Sequence, residues 1–167
     1  MYRTKNTPVQ VTVPNYREPL SGSVTTAMAY GALVQYKTTG NARELVAANG
    51  GRVAILEQDV LTDAAWQAHC KLDPRWTHEI RKPVPVGSCV SARFAHEAEF
   101  EGADYFTGID GTSTPGTLLK VVAGKFAIAD VTVNATPETV QIPQARLGRE
   151  LTPHDPASFR WVIEFLE

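Results

Sequence analysis

The sequence predicts an all-β fold, a small antiparallel β-barrel or sandwich with an extended N-terminal arm and a short helical insert. Three observations carry this prediction. Residues 89–101 alternate apolar and polar side chains, which is the period of a strand. Other short apolar runs are separated by turns rich in glycine, asparagine and proline. No helical pattern is long enough for the crossover helix of a βαβ unit.

The composition is that of an ordinary globular protein. The chain has 167 residues, of which 43% are hydrophobic and 20% charged, a size that suits one domain. The net charge of −2 offers no basic face for phosphates, so we expect no direct nucleic-acid binding. No apolar run approaches the ~20 residues of a membrane span and the first ten residues lack a signal-peptide core, so we expect a soluble chain without a membrane partner.

Residues 1–22 are predicted to form the extended arm. Its prolines oppose a helix, and valines at every second position from 9 to 13 have the period of a strand. The arm is either a frayed first strand or a segment that lies on a partner. In the second case the contacting residues would be Tyr2, Arg3, Lys5, Val9, Val11, Val13, Tyr16 and Arg17.

Residues 23–167 are predicted to form a single β-rich domain. Its first strands are expected at about 32–38, 43–48 and 52–60, between turns at Gly40 and Gly50. Residues 62–82 break this rhythm, and Thr62 or Asp63 could cap a short helix there.

The stretch from Cys89 to Phe106 concentrates acidic residues around one histidine. In a regular strand Glu97, Glu99 and Glu101 lie on one face, while His96 lies on the other with phenylalanines. Three aligned carboxylates could bind a hard cation, but no calcium-loop motif accompanies them. We therefore predict a solvated strand face and no metal site.

The second half of the domain is predicted to close with a hairpin and a final strand. Leu118–Val122 and 125–129 form the hairpin, joined by Ala123 and Gly124. Residues 134–157 carry four prolines and are expected to be a loop. The terminal alternation over 159–166 predicts a strand with a bulky aromatic face, which either joins the core or packs against a neighbouring subunit.

No catalytic or cofactor motif is recognisable. Residues 111–119 have the glycine spacing of a phosphate loop, but Thr117 stands where the lysine is needed. The histidines and the cysteine of residues 69–79 lack the paired spacing of zinc ligands, and no G-x-S-x-G turn exists. Cys70 and Cys89 are expected to be free thiols, with Cys89 in the core. We therefore predict no enzymatic activity, cofactor or metal.

Three segments together resemble the capsid decoration (cement) proteins of tailed phages. They are "GALVQYKTTGNARELVAANGGRVAILEQDV", "KPVPVGSCVSARFAHEAEFEGADYF" and "PGTLLKVVAGKFAIAD", and the resemblance covers about residues 24–130. It implies a protein made in the host cytoplasm that binds the exterior of the virion capsid as a homotrimer and stabilises the head. The major capsid protein would be its partner, contacted through the arm.

The subunit interface is predicted to involve bulky aromatic side chains, namely Trp66, Trp76, Phe159, Trp161 and Phe165. Two other functions remain open at this point. The chain could be another phage structural module, such as a tail, head-completion or fibre-base protein. It could also be a β-barrel that binds a carbohydrate or small ligand on a platform of Trp66 and Trp76.

Overall fold

A computed structural model describes residues 20–40, 43–72, 83–131, 142–151 and 159–166. These residues form strands with one short helix, so the predicted all-β class is confirmed. Their contacts divide them into two compact units. The barrel unit comprises the described parts of 20–47 and 54–94, and the sheet unit comprises the described parts of 48–53 and 95–166. The arm residues proposed to contact a partner lie outside the described residues.

The barrel unit contains seven strands and the helix α1 among its described residues. They are β1 (Leu20–Val24), β2 (Leu33–Tyr36), β3 (Glu44–Ala47), β4 (Ala54–Leu56), β5 (Val60–Leu61), α1 (Asp63–Leu72), β6 (Val84–Pro85) and β7 (Cys89–Arg93). Five strands close a barrel in the order β1, β3, β2, β4, β7. Strands β1 and β3 run parallel, and the other barrel neighbours are antiparallel.

The barrel interior is filled with small and medium-sized apolar side chains. Alternate residues of each strand point inward, as the pleat of a strand requires. The buried cluster consists of seven residues on barrel strands, Val24, Val34, Leu45, Ala54, Leu56, Val90 and Ala92, together with Val60 of β5. Five strands enclose only a narrow space, and these side chains occupy it.

Gly22 allows two barrel strands to approach closely. A Cβ atom at this position would overlap the carbonyl oxygen of Arg43. The same oxygen accepts a hydrogen bond of 2.7 Å from the backbone N–H of Ser23. The close approach of β1 to the start of β3 therefore requires glycine.

The predicted short helix is confirmed as α1. The hydroxyl of Thr62 accepts a hydrogen bond of 3.3 Å from the backbone N–H of Ala65, which is the pattern of a helix N-cap. Asp63 places a negative charge in the first turn, where the helix dipole favours it. Strands β5 and β6, on either side of the helix in sequence, pair in parallel.

The sheet unit contains six strands among its described residues. They are β8 (Glu97–Glu101), β9 (Phe106–Thr107), β10 (Leu118–Val122), β11 (Lys125–Ile128), β12 (Ala145–Glu150) and β13 (Arg160–Phe165). Their order is β8, β13, β12, β10, β11, β9. The ring of Phe100 in β8 lies 5.2 Å from that of Phe126 in β11, although three strands separate them. The sheet therefore curls around an aromatic core.

The predicted hairpin is confirmed as β10 and β11. Ala123 and Gly124 have φ values of 49° and 76°, as a two-residue type I′ turn requires. A turn with positive φ at both residues matches the right-handed twist of the two strands that it joins. Gly124 also donates a hydrogen bond of 2.8 Å to the carbonyl of Ala48, which ties the turn to the 48–53 segment.

Three expectations for individual elements were wrong. Residues 89–101 do not form one long strand, because pairing with β4 ends at Arg93 and pairing with β13 begins at Glu97. The strand expected over 52–60 is divided into β4 and β5. Within the loop expected over 134–157, residues Ala145–Glu150 form β12, since Ala145 and Leu147 face the core and pair with β13.

Candidate functional site

The outer face of the sheet unit carries rows of charged side chains. One row runs from Glu97 in β8 through Glu164 in β13 to Arg146 in β12. A second row pairs Glu101 with Arg160. We call this surface the charged face, defined by Glu97, Glu99, Glu101, Arg146, Arg160, Val162 and Glu164.

Two ion pairs organise the charged face. Arg146 donates from Nε to Oε2 of Glu164 at 2.8 Å, and its Nη2 contacts the same oxygen. Arg160 donates from Nη2 to Oε2 of Glu101 at 3.1 Å. All four side chains remain partly exposed, so each pair contributes at most about 1 kcal/mol to stability. Their main effect is to hold these charged side chains at fixed positions on the surface.

A shallow groove of about 330 Å³ opens on the charged face. It lies beside a β-bulge, where the pairing of β12 with β13 shifts between Leu147 and Glu150. Gly148 forms part of its lining, and a Cβ atom there would lie 2.9 Å from the carbonyl oxygen of Val162. The bulge and the missing side chain together create the groove.

The groove is lined by charged and small or apolar residues. Its lining residues are Glu97, Gly116, Arg146, Leu147, Gly148, Arg149, Val162 and Glu164. This set contains carboxylates and guanidinium groups. Such a groove can exchange ion pairs and hydrogen bonds with a protein surface.

The alternation of the acidic stretch is confirmed within β8. Ala98 and Phe100 are buried, whereas Glu97 is exposed and Glu99 and Glu101 are half-buried. Among the described residues, no group of three or more histidine, cysteine, aspartate or glutamate side chains is arranged to hold a metal ion. Cys89 was expected in the core but is exposed, because it precedes the first inward residue of β7.

The predicted interface aromatics occupy different environments. Phe159 and Trp161 are buried inside the sheet unit, and Phe165 is half-buried beside Phe100 and Phe126. Trp66 is half-buried in the barrel unit, and Trp76 lies outside the described residues. The role of these aromatic residues in a subunit interface stays a prediction. Trp66 and Phe165 are partly exposed and could contact another subunit.

The loop of residues 110–117 is held by hydrogen bonds of its own. The Asp110 carboxylate accepts bonds of 2.8 Å from both the backbone N–H and the hydroxyl of Thr112, and a bond from Ser113. These bonds, led by the one from the Thr112 hydroxyl, lower the pKa of Asp110. The loop leads directly into β10, the strand that the sequence predicts at Leu118–Val122.

Sequence reasoning missed the groove because it missed β12. The alternation of Ala145 and Leu147 around Arg146 was the available signal, but the prolines on both sides favoured a loop. The bulge that shapes the groove depends on pairing with β13, which the sequence of β12 does not encode locally.

No family model matches the sequence, and no curated protein matches it. No helix in the described parts of the chain is both long and apolar enough to cross a membrane.

Proposed function

We propose that this chain is a structural protein of a tailed-phage virion that binds the outer surface of the capsid as a decoration protein and stabilises the head. One observation supports this proposal above the others. The segments that carry the resemblance coincide with β2, β4, β7 and the β10–β11 hairpin, in the expected order. Strands are therefore present in each of the segments that carry the resemblance.

The filled barrel makes the ligand-binding alternative less attractive. The seven clustered side chains on its strands are at most 2% exposed, so a ligand would need a site outside the barrel. The tryptophan platform would then depend on Trp66, whose side chain is half-buried, and on Trp76. A protein-binding role needs no interior cavity.

The sheet unit offers surface that suits contact with another protein. Besides the charged face, it exposes Val122, Ile128, Val131 and Ile142, each more than 40% accessible. Mixed protein interfaces contain both exposed apolar side chains and charged groups, and this unit presents both kinds. In a capsid, many modest contacts of this kind would be repeated at every symmetry-related position.

The partner in this proposal is the major capsid protein, and the chain would bind it as a homotrimer. We expect the arm to contribute much of the affinity through its basic and aromatic tip. A tail or head-completion module would instead assemble into rings or tubes, and sedimentation of the purified protein distinguishes these assemblies from a trimer.

The test is co-sedimentation of the purified protein with capsids that lack it. We expect Arg3→Glu/Lys5→Glu to reduce binding roughly tenfold or more, since two contacting charges are reversed. The matched control is Lys37→Glu/Lys125→Glu, which reverses two exposed lysines of the described units. Equal binding by both double variants would remove the arm from the interface. Failure of the unmodified protein to bind any capsid would contradict the proposed function.

A further inference from the structure

Asn49 and Gly50 form the only Asn-Gly pair in the sequence. Such a pair is chemically labile, because glycine has no side chain to hinder attack of its backbone nitrogen on the preceding asparagine side chain. Asn49 is exposed, and a Cβ atom built at Gly50 would meet no heavy atom beyond its chain neighbours within 4 Å. Water can therefore reach both residues.

The reaction open to this pair is deamidation. The backbone nitrogen of Gly50 forms a bond to Cγ of Asn49 and loses its proton, and the side-chain nitrogen leaves with that proton as ammonia. The product is a five-membered succinimide ring. Water then opens the ring at either carbonyl carbon, which gives aspartate or isoaspartate. Overall, asparagine and water become an acidic residue and ammonia, with no change of oxidation state and no further reactant.

The peptide groups on both sides of Asn49 are bound to the hairpin of β10 and β11. The carbonyl of Ala48 accepts a hydrogen bond of 2.8 Å from the backbone N–H of Gly124. The backbone N–H of Gly50 donates a hydrogen bond of 2.9 Å to the carbonyl of Val121. All of these residues belong to the sheet unit, so the bonds lie within one compact unit.

The side chain of Gln144 adds a third attachment. Its Nε2 donates a hydrogen bond of 3.3 Å to the carbonyl of Gly50, and its Oε1 accepts one of 2.8 Å from the backbone N–H of Val121. Gln144 thereby bridges Gly50 and β10. We call the contacts of residues 48–50 with Val121, Gly124 and Gln144 the Asn49 clamp.

The Asn49 clamp opposes deamidation for two reasons. The nitrogen of Gly50 must approach Cγ of Asn49 to bonding distance, whereas its hydrogen bond holds it beside the carbonyl of Val121. The same nitrogen must lose its proton, and donation to a carbonyl stabilises the protonated amide. The reaction therefore requires residues 48–50 to detach locally from β10.

We propose that Asn49 is a site of spontaneous deamidation whose rate is controlled by the Asn49 clamp. Deamidation is slow while the clamp is closed and fast when residues 48–50 open. An isoaspartate product routes the main chain through the side-chain carbons, which lengthens the backbone and displaces Gly50 from Val121. Modification therefore keeps the clamp open. This inference goes beyond the capsid-binding proposal and does not depend on it.

The test follows deamidation of the full chain by peptide mass spectrometry in mildly alkaline buffer, where the backbone nitrogen loses its proton more readily. We expect Asn49 to deamidate roughly tenfold or more slowly in the folded chain than in the same chain unfolded in urea, because the folded chain must first open locally. Asn49→Gln is the control that assigns the signal. A glutamine side chain must close a larger ring, so this variant should stay unmodified over the same period.

Gln144→Ala tests the Asn49 clamp itself. It removes the bond to the carbonyl of Gly50 and the acceptor for the N–H of Val121, so deamidation of the folded chain should accelerate roughly threefold or more. The matched control is Thr117→Val, which removes a hydrogen bond to the carbonyl of Thr114 in the same unit and should leave the rate unchanged.

Amide hydrogen exchange supplies a second readout. The amides of Gly50 and Gly124 should be protected in the unmodified protein and should exchange faster in Gln144→Ala and in the isoaspartate product. Equal deamidation rates in the folded and unfolded chains would overturn the proposal. So would an unfolded chain that keeps its asparagine, or a Gln144→Ala rate that matches the unmodified protein.

Discussion

At the scale of single residues, Asp110 shows how one side chain joins a loop to the core. Its carboxylate holds Thr112 and Ser113, and its backbone carbonyl accepts a bond of 3.0 Å from Nε1 of Trp161. Trp161 is fully buried, so its indole N–H needs a partner. The local turn at Asp110 supplies one.

The pKa of Asp110 gives the first prediction. Thr112→Val removes the hydroxyl bond, the largest cause of the lowered pKa, and should raise that pKa toward its ordinary value. The folded-state pKa lies below the unfolded one, so these bonds stabilise the fold above the unfolded pKa. That contribution is lost as pH falls through the folded pKa. Carboxyl NMR titration measures the shift, and Thr117→Val, which leaves Asp110 untouched, should produce none.

Phe126 gives the second prediction. Its ring is fully buried and contacts the rings of Phe100, Phe106 and Phe165. Phe126→Ala should lower the free energy of unfolding by about 3–5 kcal/mol, because it leaves a large cavity. Denaturant unfolding checks this value. Ile128→Ala, on the same strand but 51% exposed, should cost far less, and a similar loss for both would refute the assigned core.

At the scale of elements, alternation predicts strands better than it predicts their partners. Residues 89–101 keep a period of two throughout, yet β7 joins the barrel and β8 joins the curled sheet. Nothing in the period marks the change, because both strands bury one face. The hairpin of β10 and β11 was predictable because its two-residue turn is local.

Gly22 gives a prediction at this scale. Gly22→Ala places a methyl group against the Arg43 carbonyl, so β1 and β3 must separate. We expect a loss of about 1–3 kcal/mol in the free energy of unfolding, measured by thermal or chemical denaturation. Ser21→Ala alters the exposed neighbouring residue and should be nearly neutral. Stability unchanged in Gly22→Ala would mean that the strands are not in close contact there.

At the scale of the whole molecule, the class of fold was predictable and the arrangement of strands was not. Short alternating runs with frequent turns indicate an all-β protein, because each run buries one face. The closed barrel depends on pairing β1 with β7, strands that lie far apart in sequence. The groove at Gly148 depends on a bulge between β12 and β13. Neither long-range pairing has a local signal.

Some of the predicted binding residues could be placed correctly from the sequence and others could not. Phe159 and Trp161 were recognised as an aromatic face, and the structure places both inside the sheet unit. Burial depends on the curl of the sheet, which brings β8 and β11 together around the aromatic core. The charged face, by contrast, follows partly from sequence, since Glu97, Glu99 and Glu101 alternate with buried residues.

The most direct test of the central claim is the copy number of this chain in purified virus-like particles from its source. Quantitative mass spectrometry would compare it with the major capsid protein in the same particles. A decoration protein should be present in many copies, in a fixed ratio to the major capsid protein. A handful of copies per particle, or complete absence from the particles, would contradict the account.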